Sequence, residues 1–178
     1  MHASLVDIRH ASVLDAATIA AFAARQFAET FGPDNDPADM ALYLDSAFSE
    51  SLQRSELEDP ERVYLLAYQG DTLAGYALVR MGSENTHVTG AAPAEIQRFY
   101  VDRAHHGHGV AATLMAQCTH VAESRGARTL WLAVWERNAR AIRFYEKIGF
   151  VDAGVHTFQL GNDLQHDRVM MRTLPQPF

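Results

Sequence analysis

Residues 99–111, Phe99-Tyr-Val-Asp-Arg-Ala-His-His-Gly-His-Gly-Val-Ala111, join a strand-like run to a glycine loop and then to the start of an apolar helical pattern. That order suits an anion. Glycine lets the backbone approach a ligand closely, and the free N–H groups and positive dipole of a helix N-terminus stabilise phosphate charge. The spacing is neither the P-loop pattern, which needs Gly-Lys-Ser/Thr, nor the dinucleotide fingerprint Gly-x-Gly-x-x-Gly. His105, His106 and His108 crowd the loop, but no carboxylate or further ligand stands at a spacing that would complete a site, so no metal is expected.

A second segment, Asn138-Ala-Arg-Ala-Ile-Arg-Phe-Tyr-Glu-Lys-Ile-Gly-Phe150, follows about thirty residues later. Asn138 and Tyr145 are close to two helical turns apart and should project from one face. Taken singly, Asn138 can serve as a helix cap and Tyr145 as a packed ring with a satisfied hydroxyl. Cys118 lies in the apolar helical pattern of Val110, Leu114 and Val121, which suits a small buried hydrophobe better than a nucleophile.

The elements that must position these residues follow from periodicity. Leu5–Arg9 alternates like a strand, and Ser12 stands as N-cap of an Ala-rich helix over about 14–28. Asp36-Pro37 opens a second helix with Met40, Leu44 and Ala47 along one face. Residues 62–69 and 72–81 read as a hairpin around Gly70-Asp71, and a polar loop over about 82–94 follows. Glu95–Val101 is a strand, and Thr129–Trp135, nearly all apolar, is a strand buried on both faces and therefore central. A short helix over 138–147 stops at Gly149, and strands near 151–159 and 167–173 finish the chain.

Together the two motifs resemble the GCN5-related N-acetyltransferase superfamily, whose pattern is Arg/Gln-x-x-Gly-x-Gly/Ala followed by an Asn-x-x-Ala-x-x-x-Tyr-x-x-x-Gly-Phe helix. The resemblance implies an α/β (α+β) fold: a mixed, mostly antiparallel seven-stranded sheet flanked by about four helices. It implies acetyl-CoA as cosubstrate, held by the backbone of Phe99, Tyr100 and Val101, by the amides of His106, Gly107, His108, Gly109, Val110 and Ala111, and by Asn138. The usual Arg or Gln is His106, so that side-chain contact departs from the pattern. Acetyl transfer to an amine needs a deprotonated amine, a polarised carbonyl and a protonated leaving thiolate. Tyr145 matches the family's general acid toward the sulfur. Glu95 resembles the general-base glutamate of the histone-acetylating branch, with a solvated strand end or a water chain as the other reading.

Five stretches, Phe27–Phe31, Tyr43–Phe48, Ile96–Val101, Trp131–Asn138 and Gly154–Phe158, are similar as a set to the bacterial spermidine/spermine N-acetyltransferases. That branch implies a small-molecule amine substrate, a polyamine, and the family suggests a homodimer. The alternatives are acetylation of protein amines or of another small amine such as an aminoglycoside, and a non-catalytic acyl-CoA-binding regulator.

Composition sets the bounds. The 178 residues suffice for one well-buried core, so a single domain over 1–178 is expected. The apolar fraction of 48% and charged fraction of 21% exclude a disordered chain, and no apolar run is long enough to cross a bilayer. The stretch from Met1 to Arg9 lacks the features of a secretion signal, which leads to a cytoplasmic expectation. A net charge of −7 disfavours nucleic acid. Between Glu29 and Glu61 stand ten carboxylates against Arg54 alone, a solvated face for the most part, a few of which could line a site for a cation.

Overall fold

The computed structural model describes residues 5–160 and 162–175. Residues 1–4, where the reading of the N-terminal stretch begins, and the last three of the span expected as one domain lie outside the described residues. Seven strands, β1 (Val6–His10), β2 (Arg62–Gln69), β3 (Thr72–Met81), β4 (Pro93–Val101), β5 (Thr129–Trp135), β6 (Val151–Leu160) and β7 (Asp163–Thr173), form one sheet in the order β1-β2-β3-β4-β5-β7-β6. Every neighbouring pair is antiparallel except β4–β5. Five α-helices, α1 (Ala16–Phe31), α2 (Pro37–Ala47), α3 (Glu50–Glu58), α4 (Val110–Ser124) and α5 (Ala139–Lys147), accompany it. The expected mixed, mostly antiparallel seven-stranded fold is therefore observed, with β5 in the interior.

Local chemistry explains most boundaries. Ser12 closes a capping box with Asp15 over a short 3-10 turn, and α1 starts only after that turn. The Asp36 carboxylate accepts from the amides of Ala38 and Asp39, and Pro37 takes the first turn of α2, where its missing N–H costs nothing. The hairpin of β2 and β3 has the expected bounds.

Helix α3 has no counterpart in the sequence reading. Its buried residues are Gln53 and Glu56 rather than apolar ones, so the hydrophobic period that marks a helix is missing. The Glu56 carboxylate accepts from Arg98 Nη1 on β4 at 2.7 Å, from Arg62 Nη1 at 2.6 Å and from the Tyr64 hydroxyl at 2.5 Å. Polar side chains can be buried here because each finds partners.

The core lies on both faces of the sheet. On one, α4 and α5 bring Val110, Leu114, Cys118, Ile142 and Tyr145 against Ala77, Leu130 and Met170. On the other, α1 and α2 bring Ile19, Phe22, Phe27 and Met40 against Tyr64, Leu66 and Tyr76. A register shift opposite Leu78/Val79 inserts an extra residue in β4 near Gln97. Ile96 and Phe99, three apart, consequently face the same cluster, which a regular strand would forbid.

Candidate active site

The parallel pairing of β4 with β5 covers only Pro93–Glu95 against Thr129–Trp131. Beyond it the strands part, and Ile96–Val101 and Leu132–Trp135 line the two walls of a cleft of about 640 Å³. Main-chain groups on the parted edges have no strand between them. An extended ligand with amide groups could occupy that position.

At one end of the cleft lies the glycine loop. Gly107 and Gly109 have φ of 80° and 83°, a region that side-chain-bearing residues enter only at a cost, and Gly109 is the N-cap of α4. The first-turn amides of Val110, Ala111 and Ala112 have no acceptor within the helix. Free amides at a helix start beside two left-handed glycines have a geometry that suits an anion. His108 is exposed, and His105 Nδ1 lies 2.6 Å from Gln69 Oε1.

His106 turns its Nε2 to the Val101 carbonyl at 2.8 Å, while Arg140 of α5 meets its Nδ1. Donation to Val101 fixes the proton on Nε2 and leaves Nδ1 to accept from Arg140. Burial, opposed by the hydrogen bond to Val101 and aided by the charge of Arg140, holds the ring's pKa below the ordinary histidine value, so His106 is neutral. Sequence spacing did not single out Arg140, although it lies within the Asn138–Phe150 motif. The contact spans 34 residues. Among the described residues no group of three His, Cys, Asp or Glu is placed to hold a metal ion.

Asn138 and Tyr145 both line the cleft, as two-turn spacing requires. The Asn138 side-chain oxygen caps α5 by accepting from Ala141 N–H at 3.2 Å, so the capping role is real, while its amide nitrogen has no partner among the described residues. Tyr145 is 6% exposed and packs edge-on to Phe99 and Phe144. Its hydroxyl makes no hydrogen bond among the described residues, and burial raises its pKa, which keeps the phenol protonated. Glu95 stands where the fork opens, paired in register with Trp131, and its Oε2 accepts from the Ser83 hydroxyl at 2.7 Å. Cys118 is fully buried in the core, and burial raises its thiol pKa.

The other end of the cleft has aromatic walls: Phe31 and Tyr43 from α1 and α2, Trp135 from β5, and Phe158 from β6. Phe31 meets Trp135 with ring centroids 5.3 Å apart, and Tyr43 meets Phe158 at 5.3 Å. Asp167 of β7, a residue to which no sequence pattern pointed, also lines the cleft and stands in register with Trp135 and His156. The ten carboxylates of 29–61 are elsewhere. None lines this cleft, and Asp36, Asp39, Glu56 and Asp59 are engaged in caps and pairs that hold the fold. The expectation that a few of them line the site is corrected accordingly; the carboxylates at the cleft are Glu95 and Asp167.

Residues 22–150 match the family model described as acetyltransferase (GNAT) family. An uncharacterized N-acetyltransferase of Mycobacterium tuberculosis is 36% identical over 160 residues, which cover 90% of this chain and 98% of the relative. Streptothricin acetyltransferase of Streptomyces lavendulae is 29% identical over 80% of this chain and 73% of its own length. Spermine/spermidine N(1)-acetyltransferase of Bacillus subtilis is 28% identical over 61% of this chain and 68% of its own. The fold is that of the PaiA N-acetyltransferase of Thermoplasma acidophilum, solved with coenzyme A, at a TM-score of 0.75 and 18% identity over 95% of this chain and 99% of that one.

Proposed function

We propose that this chain, which belongs to the acetyltransferase (GNAT) family and is an acetyl-CoA-dependent N-acetyltransferase, delivers acetyl to a primary amine of a small polycation, a polyamine such as spermidine or spermine. The observation that carries the reading is the β4–β5 fork, with a glycine loop suited to an anion at one end, a Tyr145 hydroxyl without a partner among the described residues in its wall and an aromatic recess at the other end. The similarity to the Bacillus subtilis enzyme supports the choice of amine.

The chain's residues fit the cosubstrate. The pyrophosphate is assigned to the amides of residues 106–111, where φ at Gly107 and Gly109 turns the backbone outward and no side chain intervenes. Where the family pattern has Arg or Gln, the neutral His106 brings no charge; Arg140, held against it, supplies the cation. The parted backbone of Phe99, Tyr100 and Val101, with the Asn138 amide opposite, would hold the chain-like part of the molecule. Acetyl-CoA supplies a thioester whose carbonyl carbon is open to attack.

Tyr145 keeps its proton because burial disfavours the phenolate, so the hydroxyl can donate to the departing sulfur. Glu95 has one carboxylate oxygen held by Ser83 and the other without a partner among the described residues, and it is assigned the amine's proton, directly or through a water.

A thiol-release assay over an amine panel tests the reading. Spermidine and spermine should be acetylated in preference to monoamines. Better turnover of streptothricin than of any polyamine would favour a second reading, which rests on the longer match to the Streptomyces lavendulae enzyme. No thiol release with either polyamine would end the polyamine assignment.

A further inference from the structure

Asp167 departs from the behaviour of the other charged groups near the cleft. Its Oδ1 is buried and has no hydrogen-bond partner among the described residues. Buried carboxylate oxygens are normally paired, and an unpaired one is costly. Arg98 in the cleft wall is already committed to Glu56. The recess it shares is rich in aromatic side chains: Trp135 and His156 stand beside Asp167 in register, and Tyr43 and Phe158 line the same end of the cleft. Ring faces attract cations, most strongly where water is excluded. A carboxylate lacking a partner inside aromatic walls fits one ligand chemistry, an alkylammonium.

The amine that attacks the thioester cannot be that ligand. An ion pair with a carboxylate stabilises the protonated amine, whereas attack requires the neutral one. The group held at Asp167 must therefore remain charged while another amine of the same molecule reacts. Resting on the acetyltransferase reading above, we infer that Asp167 is the specificity-determining anchor for a second, non-reacting ammonium of the acceptor, which makes the enzyme selective for diamines and polyamines over monoamines.

The charge state of Asp167 gives the inference a signature. Burial, opposed by His156, aided by Glu136 and opposed again by His166, pushes its carboxyl up to about 6. Tyr43 on α2 also faces it, and its phenol is pushed up by burial. Above that pH the carboxylate is ionised and can hold an ammonium; as pH falls through it the anchor is lost.

The test compares 1,4-diaminobutane with butylamine on the wild type and on Asp167→Asn, which keeps the shape and removes the charge. The wild type should prefer the diamine by about tenfold or more in kcat/KM, the scale on which removing one partner of a buried charge pair is felt. Asp167→Asn should lose that preference while leaving the butylamine rate and the calorimetric affinity for acetyl-CoA unchanged, which also shows that the variant is folded. The wild-type advantage over the variant should shrink as pH falls through about 6. A preference that persists in the variant, or a parallel fall for both amines, overturns the anchor while leaving the acetyltransferase reading intact. Calorimetry of 1,4-diaminobutane with the CoA complex separates the two failures. If the wild type binds no better than Asp167→Asn, the anchor is wrong; if the wild type binds the diamine yet transfers acetyl to no amine, the acceptor reading fails instead.

Discussion

On the α4–α5 side of the cleft the ligand-facing groups are mostly backbone amides of one continuous segment, whereas on the α1–α2 side they are side chains delivered separately by α1, α2, β5, β6 and β7. The first kind of site depends on chain conformation and tolerates changes of side chain, as the neutral His106 in place of Arg or Gln illustrates. The second kind depends on the identity of each side chain. On the function proposed above, cosubstrate binding would depend on the fold and acceptor choice on a handful of replaceable residues.

The sharpest way to break that comparison lies on the α4–α5 side, at Tyr145, whose proposed role rests on a side chain rather than on backbone. Tyr145→Phe keeps the ring contacts with Phe99 and Phe144 but deletes the proton donor. With a positioned general acid worth about 10²–10⁴-fold, kcat should fall within that range while calorimetric acetyl-CoA affinity stays nearly constant. Equal kcat would make the hydroxyl dispensable.

Gly109→Val tests the backbone side. There is open space around a Cβ at this position, so the penalty comes from φ of 83° rather than from a clash. Forcing a β-branched residue there costs about 1–3 kcal/mol, and acetyl-CoA affinity should fall by the corresponding ~5- to 150-fold. An unchanged affinity with intact circular dichroism would remove this loop from the site.

The smallest effect concerns salt. The exposed carboxylates of 29–61 lie outside the cleft and can act only at long range, so KM for spermidine should rise by roughly threefold or less as added salt shortens the screening length. A much steeper rise would mean that these surface charges hold the substrate directly.

How much could be read from the sequence follows the same division. The hairpin of β2 and β3, the apolar β5, the glycine loop and the two-turn spacing of Asn138 and Tyr145 are local patterns, and each was legible because one short segment carries all of the signal. Helix α3 was not, since its inward face carries Gln53 and Glu56, whose partners Arg98 and Arg62 come from β4 and β2. Ser49, whose side chain accepts from Leu52 N–H, was the available signal for its start. Asp167 is one acidic residue in a strand without clear alternation. Only the pairing of β7 with β5 and β6 sets it beside Trp135 and His156, and that register is not encoded locally.

The short contact between β4 and β5 also bears on how the molecule comes apart. Three residue pairs form the seam between a four-stranded half, β1 to β4, and a three-stranded half, β5 to β7. A ligand lying along both parted strands bridges the halves like a keystone, and its binding energy adds directly to the free energy that keeps them together. If the cosubstrate occupies the fork as proposed, the two halves should melt more nearly as one unit when it is bound, and amide exchange along Ile96–Val101 and Leu132–Trp135 should slow most.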